Sequence, residues 1–91
     1  MNDLICILQN WYKLQCDDVW EHSFGVEITN IDNPGWKVKI TGATARKSAD
    51  TSSERSETDW IVVKTTEAEF NGYGGPCNLQ ELLTLAVDWL R

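Results

Sequence analysis

Five side chains able to ligate a metal or move a proton fall within seven positions of this chain: Cys16, Asp17, Asp18, Glu21 and His22. Two chemistries could use them. A structural metal site takes four Cys, His or carboxylate ligands and a catalytic one takes three, yet this stretch offers one thiol and one imidazole, and His22 is the only histidine in the chain. A thiolate nucleophile is activated by an imidazole or another cation beside it, whereas Cys16 has Asp17 and Asp18 as its sequence neighbours. A sulfurtransferase-type loop would wrap a persulfide-bearing cysteine in backbone N–H groups with basic residues nearby. Acids flank Cys16 instead, and Cys77 lies between a proline and the start of a helix. The competing reading is structural: Cys16 ends a helix, Asp17 and Asp18 make a turn, and His22 points inward from a strand.

Two weaker patterns lie further along. Gly72-Tyr73-Gly74-Gly75-Pro76 could cradle an anion before a helix, but it has no phosphate-loop or dinucleotide-binding spacing and is expected to permit a tight turn into that helix. Glu67 and Glu69 share strand parity as a carboxylate pair would, and a solvated edge explains them equally.

The elements that must position these residues follow from periodicity. Asn2 or Asp3 can cap a helix in which Leu4, Ile7, Leu8, Trp11, Tyr12 and Leu14 form one broad apolar face, ending near Gln15 or Cys16. From Trp20 the period changes to two, with Trp20, His22, Phe24, Val26 and Ile28 on one parity, which predicts a half-buried strand. Asn33-Pro34-Gly35-Trp36 predicts a type II turn, with Gly35 taking the positive φ. A second strand follows, with Trp36, Val38 and Ile40 alternating with Lys37, Lys39 and Thr41. Residues 42–53 are small and polar and read as a loop, leading into a weak strand at 51–56. Ser56 to Asp59 reads as a hairpin turn before the β-prone Trp60-Ile61-Val62-Val63, and a short strand is expected around Glu69-Phe70-Asn71. Asn78 and Glu81 are spaced as a capping box ahead of a helix carrying Leu79, Leu82, Leu83, Ala86, Trp89 and Leu90 on one stripe. The expected architecture is a single α+β domain over residues 1–91: an antiparallel sheet of four or five strands, with both helices packed on one face.

Charge narrows the function. Fourteen acids against eight bases give a net −6, which disfavours nucleic acid as a partner and favours a basic protein. Residues 1–34 hold six acids and one lysine and so contribute −5 of it. Three cysteines without a C-x-x-C spacing suggest neither a disulfide framework nor a zinc knuckle, and fit reduced thiols in the cytoplasm. The apolar run at residues 4–8 is too short for a signal peptide or membrane span, so no membrane association is expected. No cofactor is expected.

Five motifs can then be taken together: W-Y-x-x-Q-C-D at Trp11 to Asp17, W-E-H-S-F-G at Trp20 to Gly25, I-x-x-I-D-N-P-G-W at Ile28 to Trp36, E-R-S-E-x-D-W at Glu54 to Trp60, and F-x-G-x-G-G-P-x-N-L at Phe70 to Leu79. In this order they resemble immunity protein 53, a family of bacterial polymorphic toxin systems. The resemblance implies a cytoplasmic antidote that binds a cognate toxin and blocks it without turnover. The chain departs from the family pattern at Cys16 to Val19, where Cys-Asp-Asp-Val replaces an expected Cys-Asp-Gly-Asp and a turn glycine is missing.

The sequence therefore points to a non-catalytic protein whose partner is a basic toxin domain, such as a nuclease. Asp17, Asp18, Glu21, Glu27 and Asp32 are the expected contacts, with Trp20 and Tyr73 as aromatic anchors. The alternative is a thiol- or metal-dependent, sulfurtransferase-like enzyme centred on Cys16 and His22. A regulatory module with another partner would present the same surface.

Overall fold

The structure is a computed structural model and describes residues 3–91. Asp3 caps α1 (Leu4–Gln15) by accepting the Cys6 N–H at 3.1 Å; Asn2, the other expected cap, lies outside the described residues. A short 3-10 turn (Trp20–His22) precedes five strands, β1 (Val26–Ile31), β2 (Gly35–Ile40), β3 (Thr51–Glu54), β4 (Trp60–Thr65) and β5 (Phe70–Gly74), and α2 (Leu79–Leu90) closes the chain. The strands form one antiparallel sheet in the order β1-β2-β5-β4-β3, so the α+β architecture holds.

Both helices lie over one sheet face. Val38, Ile40, Ile61, Val63 and Phe70 point to that side and share a core with Leu82, Leu83, Ala86, Val87, Trp89 and Leu90 of α2. Leu8 is the one fully buried residue of α1, and Leu4, Ile7 and Trp11 pack against the core's margin. The broad apolar face expected of α1 is thus only partly used: Tyr12 is exposed, and Leu14 is 81% exposed.

The glycine-rich run divides: Gly72 to Gly74 prove to be strand rather than loop, whereas Gly75 to Asn78 make the expected turn into α2. Gly72 and Gly74 belong to β5, the centre of the sheet. A Cβ on Gly72 would stand 3.2 Å from a Leu82 methyl and 2.8 Å from the Phe70 ring. The missing side chain lets α2 settle close to the sheet, which outweighs the poor strand propensity of glycine. The turn between β1 and β2 is also corrected. Gly35 pairs with Ile31 as the first residue of β2, and the only glycine with positive φ among the described residues is Gly42. At Gly35 the absent Cβ makes room for the Gly74 carbonyl of the neighbouring strand.

A polar brace ties the β3–β4 hairpin to the start of α2. Arg55 donates to Asp59 at 2.8 Å and to Glu81 at 2.6 Å. Buried Asn78 donates to Asp59 at 2.9 Å and to Glu81 at 3.0 Å, and its side-chain Oδ1 accepts the Trp60 N–H at 3.3 Å. The expected capping box is therefore replaced: Asn78 is the N-cap residue, but its side chain bonds the hairpin and the Glu81 carboxylate instead of the helix backbone. Arg55 first, then Asn78, holds the Asp59 carboxyl below its usual range, and Arg55 does the same for Glu81. No helix among the described residues is long and apolar enough to cross a membrane.

Candidate functional site

The acidic stretch after α1 folds into a corner closed by its own backbone. Cys16 ends the helix, its thiol donating to the Tyr12 carbonyl at 3.3 Å. Asp17 Oδ1 accepts the N–H groups of Val19 at 3.0 Å and Trp20 at 2.9 Å, which starts the 3-10 turn as a cap would. Glu21 reaches back, one oxygen accepting the Asp17 N–H at 2.9 Å and the other the Asp18 N–H at 2.8 Å. Asp18 takes a φ of +74°, the conformation that a turn glycine would adopt freely and that Asp tolerates better than most residues.

These bonds bias the acids toward their charged forms. The Trp20 N–H, then that of Val19, lowers the Asp17 carboxyl, and Glu21 is lowered by its own N–H first, with those of Asp17 and Asp18 adding to it. Trp20 pins the corner: its indole N–H donates to the Gly42 carbonyl at 3.0 Å, and its ring packs edge-on against Trp11 at 5.6 Å and Tyr12 at 5.7 Å.

The strand expected from Trp20 therefore begins only at Val26. The capping carboxylate of Asp17 winds Trp20 to His22 into a helical turn, and pairing with the next strand starts where the Gly25 carbonyl accepts the Thr41 N–H at 3.0 Å. His22 is exposed and not inward, and Phe24 is exposed as well. Glu21, expected to face away, is folded back onto the corner. Among the described residues no group of three or more His, Cys, Asp or Glu stands close enough to hold a metal, and the Cys16 thiol is engaged with the helix end.

The seven residues singled out from sequence fall into three places. Asp17, Asp18, Trp20 and Glu21 make the corner, and Glu27 joins them through a depression of about 340 Å³ lined by Glu21, His22, Glu27 and Lys39. Asp32 is exposed in the β1–β2 turn, at the far end of β1. Tyr73 lies on the helix-free sheet face, where it sits between Lys37 of β2 and Val62 of β4, two strands in from β1. Sequence reasoning missed an apolar groove of about 430 Å³ between α1 and β1, in which Ile5, Tyr12, Phe24 and Ile28 are exposed. The surplus width of the α1 apolar face was its signal.

A family model described as immunity protein 53 matches residues 5–91. No curated protein and no solved structure matches the chain. With the match running over nearly its whole length, the chain belongs to the immunity protein 53 family.

Proposed function

We propose that this protein binds a cognate toxin and neutralises it by occlusion, without turnover, in the cytoplasm of a cell carrying a polymorphic toxin system. Family membership carries the reading, since an immunity family implies toxin neutralisation. The acidic corner at Asp17, Asp18 and Glu21, with Glu27 beside it and Asp32 at the far end of β1, is the docking charge. It meets a basic toxin surface, such as the substrate cleft of a nuclease. Two features support this placement: Asp17 and Asp18 are exposed, and the corner is pre-formed by backbone bonds, so little order is lost on binding. Trp20 acts mainly by fixing the corner, whereas Tyr73 is an anchor only for a partner that reaches the open sheet face.

Co-expression with the cognate toxin domain tests the reading. The wild-type chain restores growth. The triple variant Asp18→Asn, Glu27→Gln, Asp32→Asn, which leaves the capping acids Asp17 and Glu21 in place, associates about tenfold more slowly at low salt and less salt-sensitively. Failure of the wild-type chain to restore growth overturns the function, and unchanged association by the triple variant overturns the placement.

A further inference from the structure

The sheet has two edges, and they are built differently. β3 is four residues long, Thr-Ser-Ser-Glu, short and polar as a protected edge is. β1 has six residues and leaves Ile28 40% exposed. Its backbone phase follows from one bond. Thr41 N–H donates to Gly25 C=O at 3.0 Å, and hydrogen-bonded pairs alternate with non-bonded pairs along an antiparallel ladder. Glu27, Thr29 and Ile31 therefore turn their N–H and C=O groups toward β2, while Val26, Ile28 and Asn30 turn theirs outward.

The outward phase coincides with the apolar one. Val26 and Ile28 pair with the buried Ile40 and Val38, so their side chains lie on the helix-bearing face. There they border the groove that Ile5, Leu8, Tyr12 and Phe24 complete. The acids border the strand on its other sides: Asp17 and Asp18 before it, Glu27 on its opposite face and Asp32 after it. An edge that is free among the described residues, an adjoining groove and flanking negative charge describe a socket for an extended chain.

We propose that an extended basic segment of the toxin adds to β1 as a sixth strand. Its apolar side chains enter the groove against α1, and its alternate Lys or Arg side chains face Glu27 and the acids at the strand's ends. This rests on the toxin-binding reading and names the mode of contact. A second copy of the chain fits less well, because joining two β1 edges brings together two segments of net charge −5.

Residue-resolved hydrogen exchange, with the cognate toxin domain as the probe, reads the phase directly. In the complex the amides of Val26, Ile28 and Asn30 gain protection, whereas those of Glu27, Thr29 and Ile31 are already protected in the free protein. Ile28→Pro removes an outward N–H that the β1–β2 ladder does not use, a position where an edge strand accepts proline. It weakens binding about tenfold or more while the circular dichroism spectrum is retained. Ile28→Lys, which keeps the backbone and sets a positive charge against the basic segment, weakens it likewise. Unchanged protection at 26, 28 and 30 in the complex overturns the proposal, as do wild-type affinities for both variants; if the charge-neutralised triple variant still binds poorly, the toxin-binding reading stands without it. A self-association that Ile28→Pro abolishes also overturns it in favour of a second copy. The absence of any complex with the wild-type chain overturns both.

Discussion

Glu21 accepts the Asp18 N–H at 2.8 Å across a turn in which Asp18 has a φ of +74°. One acid thus supplies the bond and the other absorbs the unusual backbone. Asp18→Gly relieves the backbone and is expected to leave the melting temperature unchanged or slightly raised, whereas Asp18→Val, β-branched at positive φ, lowers it by several degrees. Thermal unfolding of the two variants checks the order.

Asn78 is the buried centre of the brace between the β3–β4 hairpin and α2. Asn78→Ala leaves the Trp60 N–H without its acceptor and takes one donor from each of Asp59 and Glu81, which keep Arg55. A loss of about 1–3 kcal/mol is expected from urea unfolding, while Asn78→Asp, which puts a third negative group beside Asp59 and Glu81, is no better tolerated.

The same brace sets a pH dependence. Asp59 and Glu81 have folded-state values below their ordinary ones of 3.8 and 4.5, as do Asp17 and Glu21. A depressed carboxylate contributes stability that is fully present above its unfolded value and is lost as pH falls through the folded one. Unfolding midpoints are therefore expected to hold between pH 7 and about 5.5 and to fall below about pH 4.5. Arg55→Ala flattens that fall by removing the main cause of the Asp59 and Glu81 depression.

Packing against Gly72 is tight enough to test by filling it. Gly72→Val sets side-chain atoms where Leu82 and Phe70 already lie. A loss of about 1–3 kcal/mol is expected from overpacking alone, read as a lower urea midpoint with unchanged slope. Leu82→Ala in the Gly72→Val background recovers part of it, because the two side chains compete for the same space.

Much of this fold could be read from residue order, for identifiable reasons. Trp36, Val38 and Ile40 alternate with lysines on a strand that has one wet face, and the stripe of α2 has an uninterrupted helical period, so both are legible in the sequence. Trp20, His22 and Phe24 alternate equally well, but there the Asp17 carboxylate captures two N–H groups and winds the segment into a turn, a local bond that parity cannot register. Gly72 and Gly74 read as loop in the sequence because their role is a distance to Leu82, which only the packed structure contains. The acids of the candidate site were visible as charge. The apolar groove beside them was not, since a sequence does not say which strand will be the edge.

The central claim is that the protein works by stoichiometric binding. Titrating it against the activity of its cognate toxin domain tests this most directly. Occlusion predicts that inhibition rises linearly and is complete at one equivalent, with Cys16→Ser and His22→Ala inhibiting as the wild-type chain does. Full inhibition at a small fraction of an equivalent, lost in Cys16→Ser with the fold intact, would contradict it and assign the chain to catalysis.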